Sequence, residues 1–287
     1  MYFKPDTQAD FRPPVVIGGV GGSGTRLIAQ ICGELGLYMG EDQNAALDNL
    51  WFTLLFKRVE SLSCDDPQMA ELIDILIRGM TGYAPIGPQQ QRLIRTLGDT
   101  DRPQHPAAWL QQRAQSLLAT RRVLASDERW GWKEPNSHIV LDELVRYLPG
   151  MRYVHVMRHG LDMAYSDNQN QLRLWGPSVL AGDCEVNPRN SLRYWCWVHQ
   201  RMLEARDRLG SVFLLLNYDR FCVDPAPGLD ALAAHIGVAL TPAQRSSMLT
   251  LVKPPESIGR YRSHATDQFR AEDIALVRRL GYEVITD

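Results

Sequence analysis

No stretch of the chain approaches the ~18 uninterrupted apolar residues that a membrane-crossing helix needs, so the sequence predicts no membrane span. The N-terminal MYFKPDTQADFRPP is polar and proline-bearing, with no apolar segment that could serve as a signal peptide. Cysteine is scarce as a scaffold: the five present, Cys32, Cys64, Cys184, Cys196 and Cys222, are odd in number and form no CxxC pair or Cys/His cluster. That pattern suggests no structural zinc and points to reduced thiols in a cytoplasmic protein. Positive charge is not in excess either, since 31 Lys and Arg stand against 33 Asp and Glu. A formal net charge of -2 gives no bulk attraction to nucleic acid or to an anionic membrane, so any anion site must be built locally from particular arginines and lysines.

What is present is strand alternating with helix. VVIGGV (15–20), RYVHVM (152–157) and SVFLLLN (211–217) are short and rich in Val, Ile, Leu and Phe, as buried strands of a parallel sheet are. The aromatic RWGWK (129–133) is a fourth candidate. Helical patterns occupy TRLIAQICGELG after the first strand, SHIVLDELVRYL before RYVHVM and LDMAYSDNQNQL after it, with amphipathic stretches at 44–60, 67–79, 106–122 and 190–209. In the tail, Asp224 before Pro225 and Thr241 before Pro242 read as capped helix starts. This order implies a three-layer α/β fold with a mainly parallel central sheet. The region 61–128 holds no convincing strand and reads as a helical insertion, and residues 1–287 are otherwise read as a single domain.

Gly18, Gly19, Gly21, Gly22 and Gly24 lie between the first strand and the first helix, where a phosphate-cradling loop belongs. Backbone N–H groups can approach an anion there without a Cβ in the way, and the helix start adds its positive end. Set against the triphosphatase signature GxxxxGK[ST], Gly19 to Gly24 fits, but Thr25 takes the lysine position and Arg26 the hydroxyl position. The replaced hydroxyl is the one that would ligate Mg²⁺. RYVHVM likewise runs into Arg158, a cation where such enzymes often place a metal-holding aspartate. The loop therefore suits a highly anionic ligand bound without metal, with Arg158 and Ser166, about two turns into the next helix, serving an anion beside the sheet. The ordinary alternative pairs Arg158 with Asp162 or Asp167 on the surface.

Separated segments from residue 15 to about residue 262 resemble the sulfotransferases that use 3′-phosphoadenosine 5′-phosphosulfate (PAPS). GGVGGSGTR is similar to the family's loop for the 5′-phosphosulfate, which implies a donor site at Gly21, Gly22, Ser23, Gly24, Thr25 and Arg26. VMRHGLDMAYS resembles its 3′-phosphate element and carries over Arg158 and Ser166. LLLNYDRFCVDP makes Tyr218 an adenine contact, and SIGRYRSH resembles a basic loop closing over the donor with Arg260 and Arg262. WGWKEP looks like the family's Lys-x-Pro form: Lys133 is the cation at the phosphosulfate, and Pro135 stands where other members have a histidine base. The base then comes from a carboxylate beyond the first helix, Glu41 or Asp42, with Asp48 about two turns on. Glu134 is a candidate partner for Lys133, and His138 and His159 read as structural hydrogen-bonders. The chain departs from the family at Gly22, where many members carry Lys or Arg.

The resemblance implies in-line sulfuryl transfer to a hydroxyl or amine acceptor, with positioning and electrostatics supplying most of the catalysis. No metal is required; Lys133 and Arg26 would stabilise the leaving oxygen, and Glu41 or Asp42 would take the acceptor's proton. The acceptor stays open among small molecules, carbohydrates and lipids. Trp51, Phe52, Trp109, Trp175, Trp195 and Trp197 are candidates to line its pocket or to fill the core. Two other readings remain: a P-loop small-molecule kinase, which Thr25 and Arg26 oppose, and a weak member that binds a nucleotide or sulfated ligand without turnover. Oligomeric state is open.

Overall fold

β1 (Val15–Gly19) is buried at every position, as its unbroken apolar sequence demands. In the computed structural model, which describes residues 11–285, it pairs on one side with β2 (Gly131–Lys133) and on the other with β3 (Arg152–Met157), which pairs in turn with β4 (Phe213–Asn217). All four strands are parallel, and the β3–β4 register sets Tyr153 opposite Phe213 and Met157 opposite Asn217. Every strand named from the sequence is found. The polar stretch before Phe11 lies outside the described residues.

α1 (Thr25–Glu34) follows β1, and α2 (Leu50–Phe56), α3 (Asp66–Thr81), α4 (Pro88–Gly98) and α5 (Ala107–Ala119) precede β2. α6 (Leu141–Tyr147) leads into β3, and α7 (Gly160–Ala164), α8 (Asn170–Val179) and α9 (Pro188–Leu209) separate β3 from β4. α10 (Tyr218–Val223), α11 (Pro225–Ile236), α12 (Pro242–Leu251) and α13 (Ala271–Arg279) complete the tail. The chain forms two compact units: one holds the residues up to Val16 with Cys32–Met151, the other Ile17–Ile31 with the chain from Arg152 onward. Stretch 61–128 is helical, as expected, with α3 capped by the Asp65 side chain at its start and by left-handed Gly82 at its end.

Several boundaries differ from the sequence expectation, each for a local reason. Of stretch 44–60 only α2 is an α-helix: Asn49 caps it by accepting the Phe52 N–H at 2.9 Å, and Leu47 has a φ of 63°, outside any right-handed helix. LDMAYSDNQNQL breaks in two. Ser166 Oγ accepts the Asn168 N–H at 3.3 Å and Asn168 Oδ1 accepts the Asn170 N–H at 3.4 Å, local bonds that compete with the helix ladder. SHIVLDELVRYL winds as a 3₁₀-helix over Pro135–Val140 before α6 begins. Thr241 caps α12 in a reciprocal pair with Gln244, whereas the Asp224 side chain makes no cap bond to α11. α4 and α13 were not anticipated; both are short, and α4 is made mainly of polar and charged residues.

The aromatic candidates divide. Trp51, Phe52, Trp175 and Trp195 are fully buried core residues, while Trp109 and Trp197 are half-buried, facing the guanidinium groups of Arg113 and Arg201 respectively. His199 lies against Trp195 and donates Nδ1–H to its carbonyl at 2.7 Å, and His235 donates to the Tyr153 carbonyl at 3.2 Å. Burial lowers the pKa of both, and of His105, to about 4. The folded state keeps these rings neutral where an unfolded histidine takes up a proton near ~6.5, so their stability contribution is present above that pH and lost as pH falls toward the folded values. The melting temperature is therefore expected to drop between pH 7 and pH 5, and His199→Phe to make that drop shallower, as measured by calorimetry across the pH series.

Candidate active site

The loop after β1 is closed by a turn in which Ser23 donates its N–H to the Val20 carbonyl at 3.0 Å, and α1 starts as Leu27 donates to Gly24 at 3.1 Å. Gly22 and Gly24 have φ values of 94° and 96°, in the region that L side chains rarely adopt. A Cβ on Gly24 would also run into the ring of Tyr218. Gln171 Nε2 holds the Gly19 carbonyl at 3.1 Å. The glycines thus carry the chain from the strand into the ten-residue α1, whose first turn leaves N–H groups and a positive end at the loop. Ser23 Oγ, in a residue 1% exposed, has no hydrogen-bond partner among the described residues.

Arg158, directly after β3, is 7% exposed. Its Nη2 donates to Ser257 Oγ at 2.6 Å and its Nη1 to the Gly22 carbonyl at 3.5 Å. Nε lies 3.9 Å from Asp219 without a hydrogen bond. Burial raises the Asp219 carboxyl above the usual range, against the pull of the His159 N–H and of Arg158. Asp162, weighed from the sequence as the partner of Arg158, instead accepts the N–H groups of Gly259 at 2.7 Å and Tyr261 at 3.1 Å. It anchors the basic segment SIGRYRSH to α7, so Ser257 reaches Arg158 and Arg260 donates to the Tyr165 carbonyl at 3.2 Å. Arg262 is exposed.

Ser166 is not two turns into a helix but in the break after α7, where its Oγ comes within 3.7 Å of the point a Cβ on Gly22 would occupy. Loop, Arg158, Ser166, Ser257 and Arg260 are thereby gathered within one unit. Tyr218 is the first residue of α10, buried with its ring against Gly24, and burial raises its phenol pKa. Arg26 is exposed on the first turn of α1 and has no partner among the described residues. His159 accepts the Leu161 N–H at 3.2 Å, donates Nε2–H to the Glu283 carbonyl at 2.9 Å and stacks on Tyr261, a structural role. Asp219 and Ser257 escaped the sequence reading because each meets Arg158 only through the fold.

The other unit holds the remaining candidates. Lys133 ends β2 and is 2% exposed. Its Nζ forms an ion pair with Asp48 and donates to the Ala46 carbonyl at 3.0 Å, while its own carbonyl accepts the Asn49 N–H at 2.7 Å. Glu134 does not pair with it, because consecutive residues on a strand point opposite ways. Glu134 instead accepts the N–H and Nδ2 of Asn136 at 2.5 and 2.9 Å, and burial raises its pKa. Asp42 takes bonds from Arg113 at 3.1 Å and from Ser116, whose Oγ accepts the Trp51 indole N–H at 2.7 Å. Glu41 is exposed and accepts from Thr120 at 2.9 Å. Asp48 lies in a loop, not two turns along a helix.

A glycine loop opening a helix, a buried arginine ending the next strand with a serine beside it, and a lysine ending β2 are features spread along most of the chain. A family model described as "Sulfotransferase family" matches residues 13–242. The chain belongs to the sulfotransferase family. It is a PAPS-dependent enzyme that moves a sulfuryl group to an acceptor. The fold is similar to that of the sulfotransferase domain of the Synechococcus PCC 7002 olefin synthase, at 18% identity over 99% of this chain and 100% of that one, with a TM-score of 0.52. Fainter likenesses are to the sulfotransferase domain of the curacin biosynthetic pathway (13% identity, 96% and 100% covered, TM-score 0.48) and to retinol dehydratase in complex with retinol and PAP (16% identity, 95% and 81% covered, TM-score 0.40). No curated protein sequence matches the chain.

For this sulfotransferase the cation missing at Gly22 has a backbone explanation. Side chains fit the space, with Met163 and Ser166 atoms at ordinary contact distances, but the φ of 94° disfavours any residue with a Cβ. Gly22→Lys is expected to lower stability by about 1–2 kcal/mol, the cost of a left-handed L residue, as read from urea unfolding.

Proposed function

We propose that the backbone N–H groups from Gly21 to Thr25 hold the 5′-phosphosulfate of the donor, that Arg158 and Ser166 bind its 3′-phosphate, and that Arg260 and Arg262 close over it, with Tyr218 at the adenine. The observation that carries this reading is the pair of buried polar atoms, Ser23 Oγ and Arg158 Nε, that lack hydrogen-bond partners although most buried groups have one. Both suit an anion. Lys133 and Arg26 stabilise the oxygen that leaves sulfur, and Glu41 or Asp42 takes the proton of the acceptor hydroxyl or amine. Transfer then runs by positioning and electrostatics without a metal, in a single catalytic domain acting in the cytoplasm. In support, all five cysteines are free and no described helix is long and apolar enough to cross a membrane. The acceptor is a small molecule, carbohydrate or lipid bearing a hydroxyl.

Calorimetric titration with adenosine 3′,5′-bisphosphate in EDTA tests the donor site, with ATP plus Mg²⁺ as control. Binding without metal is expected, and Arg158→Ala should weaken it by about 10- to 100-fold, the equivalent of charged hydrogen bonds. Binding of ATP with magnesium alone would favour a kinase. Binding without transfer to any acceptor would favour a ligand-binding member.

A further inference from the structure

We propose that Asn168 is a further contact to the donor: its side-chain Nδ2–H bonds an oxygen of the sulfuryl group at the Gly21 end of the glycine loop. This rests on the donor reading above and adds to it a residue that is neither basic nor part of the loop.

The chain from the end of α7 into α8 runs alongside the glycine loop and meets it at three points, all within one unit. Ser166 Oγ lies 3.7 Å from the point a Cβ on Gly22 would occupy, and Asn168 Nδ2 lies 3.2 Å from the corresponding point on Gly21. Gln171, on α8, donates from Nε2 to the Gly19 carbonyl at 3.1 Å. The two segments therefore pass in opposite directions, with 166, 168 and 171 set against 22, 21 and 19. Asn168 occupies the middle of that track.

Its approach accounts for a glycine that the backbone does not. Gly22 and Gly24 have positive φ values that call for glycine, whereas Gly21 does not. A side chain at 21 would instead meet the Asn168 amide, because 3.2 Å is closer than a Cβ ordinarily comes to another heavy atom. The missing Cβ makes room for the amide.

That amide is held with its donor end free. Ser166 Oγ accepts the Asn168 N–H at 3.3 Å, and Gln169 Nε2 donates to the Met163 and Ser166 carbonyls at 3.0 and 2.7 Å, so the break keeps its shape. Asn168 Oδ1 accepts the N–H of Asn170, the first residue of α8, at 3.4 Å. The oxygen end of the amide is thus committed to α8, and Nδ2 is the end nearest Gly21. Nδ2 has no acceptor among the described residues, and the residue is exposed, so a ligand at the loop can reach it.

The sulfuryl group is the part of the donor that this position suits. A phosphate at such a loop sits against the helix start, here Gly24 and Thr25. Gly21 lies three residues before that point, and the sulfuryl group extends from the phosphate by one bridging oxygen. Asn168 neither gains nor loses a proton in the transfer. Its neutral N–H supplies, to an oxygen of the group being moved, part of the stabilisation that a cation at Gly22 would supply.

The test compares two ligands that differ only in the sulfuryl group, PAPS and adenosine 3′,5′-bisphosphate, by calorimetric titration of the full chain without acceptor. Asn168→Ala is expected to weaken PAPS binding by about 10- to 100-fold, as loss of a hydrogen bond to a charged group does, and to leave bisphosphate binding unchanged. Asn168→Asp keeps an oxygen for the Asn170 N–H but removes the donor, so it should weaken PAPS at least as much with an unchanged melting temperature. Equal weakening of both ligands would overturn the proposal by moving the contact to a phosphate. Asn168→Asp binding PAPS as the unsubstituted chain does would overturn it by reducing Asn168 to a structural bond, and so would an Asn168→Ala variant with no loss. If the unsubstituted chain binds neither ligand, the donor reading falls, and this inference with it.

Discussion

A lysine ammonium almost wholly withdrawn from solvent has to be paired, because an isolated charge in such surroundings would shed its proton or unfold its neighbourhood. Lys133 meets that requirement through Asp48 and the Ala46 carbonyl, and much of its unit follows from the choice. The loop that delivers both groups must turn back at Leu47, which fixes Asn49 as the cap of α2. α2 then buries Trp51 and Phe52 and donates through Trp51 to Ser116 on α5, so the insertion helices are tied to the end of β2 by one continuous set of bonds.

The other unit solves the same problem with arginine. Arg158 is buried beside Asp219 and bonded to Ser257, yet its Nε has no acceptor, so its needs are only partly met by the protein. Asp162 holds the segment carrying Ser257 through two backbone N–H groups, and His159 holds the chain end through Glu283. A carboxylate and an imidazole from one sequence motif thus anchor the two polypeptide segments that flank Arg158. These anchors are not replaceable by charge alone, since both act through directed hydrogen bonds.

How far the sequence revealed this depended on whether a signal was local. The four strands were readable because apolar runs of this length and composition have few other uses, and the phosphate loop because glycines between a strand and a helix leave a narrow choice. Side-chain partnerships were not. Lys133 and Glu134 are adjacent in sequence but diverge on the strand, whereas Asp48 arrives from a loop whose course depends on a left-handed leucine that no propensity anticipates. Arg158 and Asp219 come from the ends of neighbouring strands and meet only once the β3–β4 register is set. The break after α7 was hidden by apolar periodicity that continues through it. Its cause is a pair of side-chain bonds from Ser166 and Asn168.

The left-handed backbone at Gly22 also bears on the history available to this chain. A single codon change that restores a cation to that position would meet the loop in a shape unsuited to it, so the gain in charge would be opposed by strain until the turn itself had altered. Arg26, on the first turn of α1 and free of partners among the described residues, is the position from which this loop can gain positive charge without that strain.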